Sequence, residues 1–270
     1  MTGRKFSGTV TLITGASSGI GAALAREIAR QGGDLALAAR RKERLAALAE
    51  EIRAMGRQAL ALRCDVTRDG DVEEAAAKLR QTYGRIDYVV ANAGFGVLGK
   101  VEKLSLEDYR RQFETNVFGV LRTVKATQGD LVASSGCFAI IGSVNGYLAQ
   151  PGLSAYAMSK FAVHGLADAL RHELRPLGVG VVHVVPGFVD SEIRKVDNLG
   201  VYHPEARDRI PPKLCMPAQK AASQIADALL KRQDTRVITG LGKVAVFMQR
   251  HCPALISFFV PRIGLQTKKS

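Results

Sequence analysis

The sequence predicts an α/β fold, with one domain built on a doubly wound parallel sheet of about seven strands and helices on both faces. Three observations carry this. Short runs of continuous apolar residues, such as Leu35–Ala39 and Cys137–Ile141, read as strands buried on both sides rather than strands with one wet face. Segments with apolar residues at helical spacing alternate with them. No stretch rich in Pro, Ser or like charges divides the chain, and its 270 residues can bury one large core.

In chain order, Thr9–Thr14 is a β-branched run ending at glycine, and Gly15–Gly21 turns from it into a helix carrying Ala22, Leu24, Ala25, Ile28 and Ala29. Gly32-Gly33 stops that helix. A second strand, Asp34–Ala39, ends at Arg40-Arg41, and a charged helix follows from about Lys42 to Met55. Ala59–Cys64 is a third strand, Asp71–Tyr83 an amphipathic helix, and Ile86–Ala91 a fourth strand running into Asn92-Ala93-Gly94. Ser105–Asp108 has the form of a capping box, predicting a long helix to about Lys125. Cys137–Ile141, a helix over Ser154–Leu174, and Gly180–Val185 continue the alternation. A helix over Ala218–Arg232 and a strand over Arg236–Thr239 close it.

Two segments break the rhythm. Glu192–Cys215 carries three prolines and mixed charges, and a loop this long in a compact domain is usually functional. Residues 241–270 hold apolar clusters around Phe247 and Phe258, with Arg250 and His251 between them. We therefore divide the chain into a main α/β domain, 1–240, and an apolar extension, 241–270, that packs on the domain, on a sister subunit or on a membrane surface.

Composition excludes several classes. The formal charge of +13 comes from Lys and Arg that are scattered, apart from Arg40-Arg41-Lys42 and Lys268-Lys269. That pattern reads as a solubilising surface rather than a nucleic-acid footprint, so no nucleic-acid partner is expected. Four cysteines form no C-x-x-C and read as free thiols in a reducing compartment. The five histidines form no H-x-x-x-H pattern, so no metal is expected, and the residues around Ser143 do not form the G-x-S-x-G of a serine hydrolase. Met1–Gly8 has no apolar region of the kind a leader needs, and no run of about twenty apolar residues exists. A cytoplasmic location is expected, with membrane association only through the tail.

The glycines carry the first chemical signal. Gly15-x-x-x-Gly19-x-Gly21, with Ser17, Ser18 and Ile20 inside it, follows the first strand and opens the first helix. Glycine permits the tight turn and lets phosphates approach backbone N–H groups at the positive end of the helix dipole. The end of the second strand selects the nucleotide. A carboxylate there would bind the ribose hydroxyls of NAD, but Ala39 leaves room and Arg40 supplies a guanidinium suited to a 2′-phosphate. Ser17 adds a hydroxyl donor. These residues predict NADP(H).

Tyr156 and Lys160 lie one helical turn apart. A phenol titrates near ~10, and an ammonium held close by is expected to lower that value into a useful range. Together with the glycine turn, Asn92-Ala93-Gly94, Ser143 thirteen positions before Tyr156, and Pro186-Gly187, the pair resembles the classical short-chain dehydrogenases/reductases over about Phe6–Gly240. The resemblance implies a Rossmann-type fold. It also implies a catalytic set of Asn116, Ser143, Tyr156 and Lys160, with Tyr156 as general acid/base. Lys160 would also hold the nicotinamide ribose, and Asn116 would join a water relay to Lys160. It places Asp65, beside Val66, at the adenine, Asn92 and Gly94 along the cofactor, and Pro186 to Val189 beside the nicotinamide. Ser191 stands where the family usually has threonine, and Gly142 where it often has serine.

The implied reaction is NADPH-dependent reduction of a ketone or aldehyde, reversible as an alcohol dehydrogenase. Phe95, Val97, Leu98, Tyr147, Leu148, Leu153 and Phe188 give an apolar substrate surface, favouring lipid-like, steroid-like or aromatic carbonyls. Narrower forms are a 3-oxoacyl-type or sphingoid-ketone reductase. The rival class is an NADP-sensing binding protein without chemistry, whose mark would be loss of Tyr156 or Lys160. The resemblance also implies a homodimer or homotetramer.

Overall fold

The structure is a computed structural model that describes residues 5–208 and 210–263. Seven strands are present: β1 (Val10–Thr14), β2 (Asp34–Ala39), β3 (Ala59–Arg63), β4 (Tyr88–Ala91), β5 (Cys137–Ile141), β6 (Gly180–Val185) and β7 (Thr235–Val237). They form one sheet in the order β3-β2-β1-β4-β5-β6-β7, every neighbouring pair parallel. The helices are α1 (Gly19–Arg30), α2 (Lys42–Ala54), α3 (Asp71–Tyr83), α4 (Leu106–Phe113), α5 (Gly119–Ser134), α6 (Ser154–Leu174), α7 (Ala218–Leu230), α8 (Gly240–His251) and α9 (Pro253–Ile263).

Side chains alternate across the pleat, so β1 to β6 each feed two cores. On β1, Ile13 joins Leu24, Ile28, Leu45 and Ile225 under α1, α2 and α7. Its neighbour Leu12 joins Leu79, Phe138, Val163 and Leu170 under α3, α5 and α6. Both strand residues are fully buried, which is why the strand runs read as unbroken apolar stretches.

The structure departs from the sequence reading in three places. The long helix does not end near Lys125. It runs on to Ser134 and contains a π-helical segment, Glu114–Phe118, between α4 and α5. Its start is as expected: Ser105 and Asp108 form a complete capping box. Strand β4 starts at Tyr88 rather than Ile86, because the Asp87 carboxylate accepts from the Val10 backbone N–H at 2.8 Å and from Arg85. Beyond Thr239 the chain is helical. The Thr239 hydroxyl accepts from Gly242 N–H and caps α8, whose Val246 packs with Tyr147 and Val185. Lys268-Lys269 and the side chains of Phe259 and Val260 lie outside the described residues.

Candidate active site

The C-terminal ends of six strands open on one cavity of about 440 Å³. It lies where the strand order reverses, with β1 flanked by β2 on one side and β4 on the other, the usual ligand position in such a sheet. The turn after β1 forms one wall. Gly15 and Gly19 have φ of +66° and +53°. A Cβ on Gly15 would stand 2.8 Å from Ala93 Cα, and one on Gly19 would stand 3.1 Å from Ser191 Cβ. Gly15 therefore lets the turn pack against the Asn92-Ala93 loop, and Gly19 keeps the gap toward Ser191 open. Ser17, Ser18 and Ile20 also line it. Gly21 does not. A Cβ there would meet Asn92 Nδ2 and Gly15 O at 2.6 Å, so Gly21 lets the turn pack against β4.

Thr14, absent from the expected site set, ties that wall together. Its hydroxyl accepts from Asn92 N (3.1 Å) and Ala93 N (3.2 Å), while the Asn92 amide donates to the Thr14 and Gly15 carbonyls. Asn92 and Gly94 line the cavity, as do Asp65 and Val66. The Asp65 carboxylate accepts from the Thr67 hydroxyl at 2.8 Å and from its N–H. Pro186, Val189 and Ser191 form the wall beyond β6.

At the end of β2, Arg40 lines the cavity but donates to the Gly200 carbonyl at 3.1 Å. The guanidinium that reaches the glycine turn is that of Arg41. It donates to Ser17 Oγ (3.0 and 3.1 Å) and Ser18 Oγ (2.7 Å). The sequence reading assigns the 2′-phosphate guanidinium to Arg40, but Arg40 turns to the Gly200 carbonyl and Arg41 is the arginine that meets Ser17 and Ser18.

Ser143, Tyr156 and Lys160 line the same cavity. Ser143 follows β5, and its hydroxyl accepts from Asn145 N–H. Burial pushes the Tyr156 phenol above its ordinary value, and the neighbouring Ser143 hydroxyl offsets only part of that. Lys160 is buried, donates to the Ile141 carbonyl at 2.8 Å, and its Nζ lies 5.8 Å from the Tyr156 ring centre. Burial lowers its pKa to about 8. This corrects the expectation that the ammonium lowers the phenol. Both groups are desolvated, Lys160 is turned to a backbone carbonyl, and desolvation dominates each.

Asn116, on the π-helical segment, is fully buried and does not line the cavity. Its amide donates to the Phe95 carbonyl and Ser159 Oγ, and its carbonyl accepts from Phe95 N–H. Ser159 Oγ donates in turn to the Tyr156 carbonyl at 2.7 Å. Asn116 thus fixes the strand-β4 loop against α6. Gly142 has a local reason as well: a Cβ there would collide with the buried His183 ring. Among the described residues neither His183 nitrogen has a hydrogen-bond partner, and burial lowers its pKa to about 3.

The expected apolar substrate surface is narrower than the sequence suggested. Phe95 lines the cavity, and Leu98 and Phe188 are exposed, but Val97, Tyr147, Leu148 and Leu153 are buried in packing. The remaining wall comes from the segment after Ser191, including Glu192, Val196 and Tyr202. Asn198 holds that segment down by exchanging hydrogen bonds with the Leu98 backbone at 2.8 and 2.9 Å.

A glycine cradle at a helix start, joined to a tyrosine, a serine and a buried lysine, defines a nucleotide-dependent oxidoreductase site. The family model for short chain dehydrogenase matches residues 9–200, and the chain belongs to that family. It is 37% identical over 187 residues to oxidoreductase UcpA of Salmonella typhimurium, covering 68% of this chain and 71% of that protein. A Burkholderia phymatum short chain dehydrogenase/reductase in complex with NAD superposes with a TM-score of 0.82 at 26% identity, over 93% of this chain and 96% of that one. An alcohol dehydrogenase of the archaeon Thermococcus sibiricus, complexed with 5-hydroxy-NADP, gives 0.75 at 30% identity, over 85% and 95%. No helix among the described residues is long and apolar enough to cross a membrane.

Proposed function

We propose that the protein reduces ketones or aldehydes with NADPH, reversibly, and that its substrates are apolar carbonyls of lipid-like, steroid-like or aromatic character. One observation carries the reading: the Tyr156 phenol and the Ser143 hydroxyl line the same cavity as Lys160 and the glycine cradle. The cradle fits a dinucleotide, because it opens the N-terminus of α1 onto the cavity and a Cβ on Gly19 would close the gap toward Ser191. Gly15, Ser17, Ser18, Gly19 and Ile20 would hold the diphosphate. Asp65 and Val66 would flank the adenine, and Asn92, Gly94, Pro186, Val189 and Ser191 would line the rest of the cofactor's path. Once bound, the reduced nicotinamide supplies the hydride.

The chain's own residues handle the proton. Ser143 Oγ hydrogen-bonds the substrate oxygen and stabilises the charge that grows on it. Tyr156 gives its phenolic proton to that oxygen as the alcohol forms, and takes it back in the reverse direction. A phenol held above its ordinary range stays protonated at neutral pH, which supports the reductive direction. Lys160 spends one N–H on the Ile141 carbonyl and keeps donors for the nicotinamide ribose. Asn116 acts through position, holding Phe95 and the Tyr156 turn.

For the nucleotide, Ala39 at the end of β2 leaves the place of an NAD-binding carboxylate empty of charge, and Arg41 with Arg40 answers a 2′-phosphate. Among the described residues, the exposed Leu241, Val244 and Phe247 of α8 and Leu255 and Phe258 of α9 form the contact surface for a sister subunit or a membrane. Free cysteines fit a reducing, cytoplasmic setting.

The test is Tyr156→Phe, assayed by NADPH absorbance against a panel of carbonyls that includes lipid-like ketones. Turnover should fall by about 10²- to 10⁴-fold while NADPH still binds. Near-native turnover would refute the acid/base assignment.

A further inference from the structure

Two guanidiniums at the edge of the cavity converge on one carboxylate that belongs to its opposite wall. Arg41 Nη1 donates to Glu192 Oε2 at 2.9 Å, and Arg44 Nη1 donates to both Glu192 oxygens at 2.7 and 2.8 Å. The same Arg41 fork holds the hydroxyls of Ser17 and Ser18 in the glycine turn. The Tyr202 ring lies against both arginines, 5.8 and 5.2 Å from their central carbons. Partial burial raises the Glu192 carboxyl, but hydrogen bonds from Arg44 and Arg41 outweigh that and hold it below the ordinary carboxylate value.

The geometry is that of an anion seat already filled. Two arginines on one carboxylate, one of them also bonded to two serine hydroxyls of the glycine turn, are a suitable donor set for a phosphate monoester. The donors sit beside the end of β2, between the glycine turn and the first turn of α2. What occupies them is a side chain from the segment that roofs the cavity. A carboxylate here also faces the path of an anionic nucleotide, where it repels rather than binds.

We propose that Glu192 is a built-in competitor for the 2′-phosphate seat. The phosphate of the bound nucleotide displaces the carboxylate from Arg41 and Arg44, so that Glu192 lowers the affinity for phosphorylated nucleotide and ties its binding to movement of the roof segment. This rests on the NADP(H) reading above. No bond is made or broken, and charge is exchanged anion for anion. The pairs are about one-third exposed, so each competing contact is modest, in the range of partly screened ion pairs.

The experiment measures dissociation constants of NADPH, NADH and 2′-AMP by fluorescence and calorimetry, on the full chain and on Glu192→Gln, Arg41→Gln and the double variant. Thermal melts check that each variant folds, and Glu192→Ala stands by if the glutamine variant does not. Glu192→Gln should bind NADPH and 2′-AMP about 3- to 10-fold more tightly, with NADH changed less than about 2-fold. Arg41→Gln should abolish that gain in the double variant. Unchanged or weaker NADPH binding by Glu192→Gln, or equal tightening of NADH, overturns the proposal. If instead the native chain shows no preference for NADPH and Arg41→Gln affects both nucleotides alike, the NADP(H) reading fails, and the competitor proposal with it.

Discussion

Replacing Lys160 by methionine should make the protein more stable at neutral pH and less stable at high pH. Burial lowers the Lys160 pKa from 10.5 to about 8. At ~1.4 kcal/mol per unit, that is roughly 3 kcal/mol of destabilisation wherever the lysine is charged in both states. Below about pH 8 the full penalty is present. Between about 8 and 10.5 the unfolded chain binds the extra proton, so this group's contribution to stability rises with pH, and above that range the penalty is gone. Methionine removes the penalty but also the hydrogen bond to the Ile141 carbonyl, worth about 1 kcal/mol. Lys160→Met should therefore gain about 2 kcal/mol at pH 7 and lose about 1 kcal/mol near pH 10.5. The buried thiols of Cys64 and Cys137, both pushed up to about 12, destabilise the fold as pH rises, but they do so in both proteins and cancel in the difference. Urea titrations followed by circular dichroism, without nucleotide, at pH 7, 8.5 and 10 would measure it. A difference independent of pH, or no gain at pH 7, would refute the argument that desolvation governs Lys160.

Asn116→Ala should cost about 1–3 kcal/mol, because it strands the buried Phe95 N–H, leaves the Phe95 carbonyl to Gln112 alone, and removes a donor from Ser159 Oγ. A loss under about 1 kcal/mol in the same urea assay would remove its positioning role. Truncation after His251 keeps α8, whose Val246 packs with Tyr147 and Val185, and should leave NADPH affinity within about 2-fold while changing oligomeric state or vesicle binding. Sedimentation and vesicle co-flotation read the second part. Unchanged behaviour in both would show the α9 part of the exposed stripe, Leu255 and Phe258, to be inert.

What could be read from the chain, and what could not, divides along physical lines. Gly15, Gly19, Tyr156 and Lys160 were legible because local geometry dictates them. A positive φ demands glycine, and spacing by four puts two side chains on one helix face. The strands were legible because burial on two faces leaves no polar alternation. The sequence reading chose Arg40 over Arg41, because which guanidinium turns toward Ser17 depends on side-chain direction at the end of β2 and on Glu192, about 150 positions away. The π-helical segment at Asn116 leaves no mark in periodicity, because its buried amide is explained only by Phe95 and Ser159. Tyr147 and Leu148 looked like a substrate surface because apolar residues near a catalytic tyrosine look alike whether they face a cavity or a core.

The clip at Thr14 has a consequence for how the protein is assembled. Its hydroxyl joins β1 to residues more than seventy positions later, and the cavity wall runs from Gly15 to Tyr202. No contiguous half of the chain contains the site, so nucleotide affinity belongs to the completed sheet alone. A ligand that binds only the finished state at about a hundred times its dissociation constant adds roughly 2.7 kcal/mol to global stability. The cofactor pool of the host would then act on this chain as a folding ligand, and the fraction of molecules completed would follow the nucleotide supply.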